Sequence, residues 1–162
     1  MKARLQPFGL RCRESGFTLV ETTAVIAIVG TLAATAMPRL TAMAGEARYA
    51  SLENARAALA TVAAMSHAKF LINGGTIQTF EDSHVALVHG YPAASQATAD
   101  AAGLSASYAV STVAAGTMSL VPRSIAGTPR ANDCFLLYEQ ASAANPRPTI
   151  RMGDNTRAET CV

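Results

Sequence analysis

The chain has 162 residues, of which half are hydrophobic and none is tryptophan, and its formal net charge is +2. This length accommodates one domain and a further N-terminal element, since domains typically contain roughly 100–150 residues. The first sixteen residues carry four basic side chains and one acidic side chain, whereas the remaining 146 carry nine basic and ten acidic ones. The positive charge therefore belongs to the N-terminus and does not indicate a nucleic-acid-binding surface.

Phe17–Met37 form an apolar segment of 21 residues with a single charged side chain, Glu21. A helix needs about 20 mostly apolar residues to cross the hydrocarbon core of a bilayer, so the segment predicts a membrane-spanning helix. The basic residues that precede it favour a cytoplasmic N-terminus, because positive charge is retained on that side of the membrane.

An ordinary secretory signal peptide is the alternative, and Ala34-Thr35-Ala36 provides the small residues of a signal-peptidase site. Cleavage there would release a soluble periplasmic domain that begins at Met37. Two observations argue against this alternative. Glu21 places a carboxylate in the apolar segment at a cost of about 2.5–3.5 kcal/mol, from which a disposable signal gains nothing. Helical sequence also continues beyond Met37, although Pro38 interrupts it.

The sequence from Arg13 to Glu21, RESGFTLVE, resembles the prepilin-peptidase site of type IV pilins and pseudopilins. In that family a short basic leader ends in glycine, and the next residue is usually a phenylalanine that becomes N-methylated. A glutamate stands at the fifth mature position. Gly16, Phe17 and Glu21 match these three roles, so the resemblance implies that prepilin peptidase removes a leader of residues 1–16.

The resemblance also implies a role for Glu21 in assembly. A buried carboxylate needs a partner, and in this family the partner is the α-amine of a neighbouring subunit's first residue, here Phe17. Such a pair fixes the axial register of subunits in a helical filament. Gly30 and Pro38 match positions where the family often has glycine and proline. We expect the helix between them to become extended on assembly, since glycine costs about 1 kcal/mol and proline removes a backbone hydrogen bond.

Residues 39–71 continue the helical pattern, with abundant alanine and larger apolar residues at roughly helical spacing. Asn73-Gly74-Gly75 predicts the end of a helix that runs from Phe17 to about Leu71, because glycine tolerates the left-handed conformation after a helix. Gly90-Tyr91-Pro92 is expected to interrupt the regular secondary structure. The remaining elements are a short helix and six short strands: Ser95–Ala102, then Thr76–Phe80, His84–Val88, Tyr108–Val113, Met118–Val121, Phe135–Glu139 and Thr149–Met152.

These elements predict an α+β fold, and the resemblance implies that it is of the type IV pilin kind. Its long N-terminal helix would have an apolar protruding half and a second half that packs on a small antiparallel sheet. The domain organisation would be a basic leader (1–16), a transmembrane and filament-core helix (17–38) and a globular domain (39–162).

Three cysteines are present, and Cys12 would leave with the leader. Cys134 and Cys161 then remain, and an isolated pair in an exported domain indicates a disulfide. The bridge would close a loop of 26 residues and tie the C-terminal tail to the strand near Cys134.

The globular part resembles the mannose-sensitive haemagglutinin-type pilins in two stretches, Ala63–Gly74 and Val88–Pro92, and in the spread of Cys134, Tyr138 and Cys161. Family members of this kind form thin surface pili used in attachment. The resemblance implies a structural subunit held first in the bacterial inner membrane and then in an extracellular pilus. Its partners would be further copies of the chain, prepilin peptidase, the inner-membrane assembly platform and a surface receptor. A pseudopilin of a type II secretion system shares the N-terminal chemistry and is the alternative, although the cysteine pair favours a pilin.

Motifs for catalysis or metal binding are weak. Ser66-His67-Ala68-Lys69 matches S-x-x-K, the nucleophile motif of penicillin-interacting enzymes, but the chain has no S-D-N or K-T-G element. The three histidines lack the tight spacing of a zinc site, and the C-terminal acidic residues are too scattered for a calcium loop. The sequence therefore predicts that the chain is not an enzyme and uses no metal or cofactor.

Overall fold

The computed structural model describes residues 17–80 and 83–162, so the leader with Cys12 and Gly16 lies outside the described residues. The chain divides into two compact units, one that ends at Pro38 and one formed by Arg39–Val162. Helix α1 (Leu19–Asn73) contributes to both units. The fold is α+β, with this long N-terminal helix and antiparallel sheets in the second unit.

In the second unit, α1 buries one face. Leu52, Ala55, Leu59 and Val62 recur at intervals of three or four residues and are buried, as expected for one stripe of a helix. The helix ends where the sequence predicts, since Gly74 and the following glycine adopt positive φ angles of 63° and 87°.

The first sheet has three antiparallel strands in the order β1 (Ile77–Phe80), β2 (Ser83–Val88) and β3 (Tyr91–Pro92). A two-residue turn joins β2 to β3, and both turn residues, His89 and Gly90, have positive φ angles. Such turns match the twist of the strands they connect. The prediction that Gly90-Tyr91-Pro92 interrupts the regular secondary structure was wrong, because Tyr91 and Pro92 form a strand that pairs with β2.

The second sheet has four antiparallel strands in the order β4-β5-β6-β7. Helix α2 precedes it, and a 3₁₀ helix lies between β5 and β6. The bounds of these elements are α2 (Gln96–Ala101), β4 (Tyr108–Ala114), β5 (Thr117–Pro122), the 3₁₀ helix (Pro129–Asn132), β6 (Leu136–Glu139) and β7 (Thr149–Met152). The sequence predicts one small sheet, whereas the structure has two, since Pro92 ends the first sheet and α2 separates it from the second.

The core lies between α1 and the second sheet. Side chains alternate between the two faces of a strand, and every second residue of β5 and β6 points into the core. These residues are Met118, Leu120, Leu136 and Tyr138, all nearly or fully buried. They belong to one cluster with Leu52, Ala55 and Leu59 of α1.

Candidate functional site

The first unit contains an unusual exposed apolar surface. Every residue from Phe17 to Pro38 is exposed, including Phe17, Leu19 and Val20, whose exposed fractions are 89%, 79% and 73%. Soluble monomers rarely expose a contiguous apolar surface of this extent, and such surfaces mark membrane or protein contacts. By length and composition, α1 includes a stretch that could cross a membrane.

The only charged side chain in this apolar stretch, Glu21, lies in the first turn of α1 and caps its own helix. The Thr18 N–H and hydroxyl donate to one Glu21 carboxylate oxygen at 2.9 and 2.8 Å. The Glu21 N–H donates back to the Thr18 hydroxyl at 3.2 Å. This is a capping box, which satisfies backbone donors that a helix start leaves free. Sequence reasoning selected Glu21 but missed Thr18, although threonine three residues before glutamate is the signature of this motif.

Phe17 precedes the cap. It lies outside the helix and directly before Thr18, so α1 begins two residues after the predicted cleavage position. Because the cap fixes the start of the helix at Leu19, the Phe17 backbone nitrogen is not used in a helical hydrogen bond.

Gly30 and Pro38 both lie within α1, which continues through them. A methyl group added at Gly30 would meet no atom within 4 Å, so packing in this structure does not require a glycine there. The segment is helical here, and its predicted extension in an assembled filament stays a prediction.

Threonine hydroxyls of the apolar stretch bond within their own helix. Thr23, Thr31 and Thr35 each donate to the carbonyl three residues earlier, at 2.9, 2.8 and 2.9 Å. Such local bonds satisfy hydroxyl groups without another chain or water. The hydroxyl hydrogens of these three threonines are therefore already used in hydrogen bonds within α1.

Cys134 and Cys161 form the disulfide that the sequence predicts, with their Cα atoms 5.1 Å apart. Both residues are fully buried and belong to the core cluster. The bridge joins the residue two positions before β6 to the C-terminal tail.

The tail has further anchors. The Arg48 guanidinium of α1 donates to the Cys161 carbonyl at 2.6 Å. The Thr160 hydroxyl lies 2.7 Å from the Asn155 carbonyl oxygen, its nearest acceptor, and 3.2 Å from the Asp133 carbonyl oxygen. Gly45 lies so close to the tail that an added methyl carbon would stand 2.2 Å from the Ala158 carbonyl oxygen. The contacts of Arg48 and Gly45 with the tail join residues more than a hundred positions apart in the sequence. No local pattern encodes such contacts, so the sequence did not predict them.

The S-x-x-K match does not form a catalytic pair. Ser66 is fully buried, and its hydroxyl has no hydrogen-bond partner among the described residues. The Lys69 ammonium instead donates to the Thr79 carbonyl at 2.8 Å and lies 4.0 Å from the centre of the Phe80 ring. An activated serine needs a base within hydrogen-bond reach, so this geometry does not supply one.

The histidines are dispersed. His67 stacks on Tyr91 with ring centres 4.2 Å apart, and its Nδ1 lies 3.2 Å from the Gly90 carbonyl oxygen. His84 lies beside the Thr79 hydroxyl. Within residues 17–80 and 83–162, no three histidine, cysteine or acidic side chains are grouped as metal ligands.

No protein-family model, curated protein or solved structure matches this chain. Its function is therefore inferred from its own residues and geometry. Three features bear on the function: the exposed apolar stretch of α1, the Glu21 carboxylate in its first turn and the buried C-terminal disulfide.

Proposed function

We propose that this chain is a structural subunit of a type IV pilus filament. The observation that supports this most strongly is the exposed apolar stretch of residues 17–37, whose only carboxylate, Glu21, lies in the first turn of α1 and four residues after Phe17. Prepilin peptidase would remove residues 1–16. The apolar part of α1 would hold the subunit in the inner membrane and then join the filament core.

The capping box supports an assembly role for Glu21. In the isolated subunit the carboxylate is bonded to Thr18, so it has partners before assembly. In a filament core, the α-amine of a neighbour's Phe17 would supply the opposite charge. A subunit displaced along the axis would leave both charges unpaired, and breaking a buried ion pair costs about 3–5 kcal/mol.

The second unit would form the outside of the filament and serve surface attachment. Its buried disulfide supports an exported domain, because disulfides persist in oxidising compartments. Between Gly30 and Pro38 the helix would become extended in the filament. A filament map with an unbroken helix from Leu19 to Asn73 would contradict that part of the proposal.

Processing provides the first test. Intact mass of protein from membranes or sheared filaments should correspond to a chain that begins at N-methylated Phe17. A Gly16→Val variant should accumulate as precursor, whereas a Ser15→Ala control should be processed. A mature protein that begins at Met37 would instead identify a released periplasmic domain and would contradict the proposal.

Substitutions in the capping box separate the two roles of Glu21. Glu21→Gln keeps a side chain that can cap the helix but removes the charge, whereas Thr18→Ala weakens the cap and keeps the charge. We expect Glu21→Gln and Glu21→Ala to insert into membranes but to form few filaments. Thr18→Ala should retain more assembly than either of them. Normal filament yield from Glu21→Gln would show that the charge is not required.

Localisation distinguishes the pilus from the secretion alternative. Identification of the chain in sheared surface filaments is the expected result. Confinement to the cell envelope, with a defect in protein secretion when the chain is deleted, would identify a pseudopilin instead.

A further inference from the structure

The junction between α1 and β1 places an asparagine directly before a glycine. Asn73 is the last residue of α1, and Gly74 follows it with a left-handed φ angle of 63°. The chain contains five asparagines, and Asn73 is the one that precedes a glycine. Asparagine is chemically labile, and a glycine after it leaves the next backbone nitrogen open to the asparagine side chain, because glycine has no Cβ. Of the five positions, this one is therefore the most prone to a spontaneous covalent change.

The surroundings of Asn73 leave room for such a change. Residues 71–77 are all exposed, and the Asn73 side-chain amide forms no hydrogen bond among the residues that the structure describes. A methyl group added at Gly74 would meet no atom within 4 Å beyond its neighbours in the chain. A small ring that joins the two residues therefore meets no steric obstacle.

Two hydrogen bonds restrain Gly74. Its N–H donates to the Phe70 carbonyl at 2.8 Å, which is the bond that closes a left-handed helix cap. Its carbonyl accepts a 2.8 Å bond from the side-chain amide of Gln78, which is only 7% exposed. In the closed cap the Gly74 nitrogen is therefore occupied. It becomes available only when the last turn of α1 opens, as helix ends do when they fray.

We propose that Asn73 is a site of spontaneous deamidation and that opening of this cap sets its rate. In the open state the Gly74 nitrogen loses its proton to hydroxide and attacks the Asn73 Cγ atom. The new N–Cγ bond closes a succinimide ring, the Cγ–Nδ2 bond breaks, and ammonia leaves with a proton taken from water. Water then opens the ring at either of its two carbonyl groups. The products are aspartate and isoaspartate, and the net reaction exchanges ammonia for water without a redox step.

Either product changes the end of α1. Each adds a negative charge to the last turn, which contains no basic residue to compensate it. The helix dipole disfavours negative charge at this end, so the modification weakens the cap. Isoaspartate also routes the main chain through the former side chain and lengthens it by a methylene group. The modified chain therefore has a looser junction between α1 and the first sheet. This inference concerns the second unit and does not depend on the pilus proposal.

Ageing of the full chain in detergent tests the site. Samples are held at mildly alkaline pH, and peptide mass spectrometry with fragmentation that distinguishes isoaspartate from aspartate reads the conversion of every asparagine. Digestion in heavy-oxygen water labels the residues converted during preparation, so only unlabelled product is counted. We expect Asn73 to be converted before the other asparagines, with isoaspartate among the products. Conversion should be faster in guanidinium-denatured chain, where the cap is absent.

Two substitutions separate the chemistry from the opening of the cap. Gln78→Met keeps a side chain of similar length but removes the donor to the Gly74 carbonyl. The net contribution of such a bond corresponds to about a fivefold change in an equilibrium constant, so the folded variant should convert about fivefold faster. Its denatured chain should convert at the wild-type rate. Asn73→Gln keeps an amide but requires a larger ring, so it should stay intact over the same period.

Hydrogen exchange at the Gly74 amide provides an independent measure of cap opening, and thermal unfolding verifies that each variant folds. Exchange and conversion should accelerate together in Gln78→Met. If Asn73 stays intact in the folded chain while another asparagine is converted, the site is wrong. Equal rates of conversion in folded wild type and folded Gln78→Met, or in folded and denatured wild type, would show that the cap does not set the rate and would overturn the proposal.

Discussion

Gly45→Ala tests whether the C-terminal tail is seated directly on α1. In an exposed helix this change should stabilise the protein by about 1 kcal/mol, because alanine loses less backbone entropy than glycine. At Gly45 the new methyl carbon would stand 2.2 Å from the Ala158 carbonyl oxygen and 2.9 Å from a Val162 methyl group. Heavy atoms do not approach that closely, so the tail has to move away by about 1 Å.

The tail has little freedom to do so. Cys161 is held by the disulfide, and its carbonyl accepts a 2.6 Å hydrogen bond from Arg48. Overpacking costs about 1–3 kcal/mol, and a hydrogen bond to a charged group contributes about 1.5–3 kcal/mol if it is lost. With the Arg48 bond lost and the gain in helix propensity subtracted, we expect Gly45→Ala to lower the free energy of unfolding by about 1.5–5 kcal/mol.

Denaturant unfolding of the full chain in detergent measures this change, and hydrogen exchange at the Cys161 amide reports whether the tail has loosened. Ala50→Gly, at an exposed position of the same helix, calibrates the propensity term and should cost about 1 kcal/mol. If Gly45→Ala is neutral or stabilising, with unchanged exchange at Cys161, the tail does not lie on this glycine.

Three further changes test the core. Replacing Cys134 and Cys161 by alanine should lower the free energy of unfolding by at least about 3.5 kcal/mol, the loop-closure entropy of a 27-residue separation. A loss below about 1 kcal/mol would contradict a stabilising role of the disulfide. Tyr138→Phe leaves the Pro92 carbonyl without its 2.6 Å donor and should cost about 1–3 kcal/mol. Burial raises the pKa of Tyr138, so wild-type stability should fall as the pH rises above about 10, and Tyr138→Phe should lose that dependence. Ser66→Ala removes a buried hydroxyl without a partner among the described residues and should be neutral or stabilising, whereas a marked loss would reveal a partner for that hydroxyl.

Local signals in the sequence predict much of this fold. The Asn73-Gly74-Gly75 signal predicts the end of α1 because the cap requires positive φ angles, and the structure has them. The short apolar runs between Pro, Gly, Ser and Asn residues predict β5 and β6 to within a residue. The Cys134–Cys161 pair follows from the small number of cysteines that an exported chain would retain.

Features that depend on distant residues could not be predicted in this way. The hairpin at Gly90 places its neighbour His89 at a positive φ angle, which the sequence does not signal, and Pro92 normally argues against a strand. The seat of the tail on Gly45 depends on a contact across more than a hundred residues, which no local pattern encodes. Thr18 is different, since its capping motif with Glu21 is visible in four consecutive residues.

The self-bonded threonines of the apolar stretch bear on how a subunit changes its surroundings. Because Thr23 bonds to the Val20 carbonyl, transfer from lipid tails to a protein interior would not require this hydrogen bond to be exchanged. Extension between Gly30 and Pro38 would instead break the bond from Thr35 to the Leu32 carbonyl. Lipid tails are about as apolar as leucine side chains, so the transfer provides no hydrophobic driving force by itself. In the proposed filament, Glu21 is the only charge of the stretch, so its pairing with a neighbour's α-amine would be the contact that fixes the axial position of the subunit.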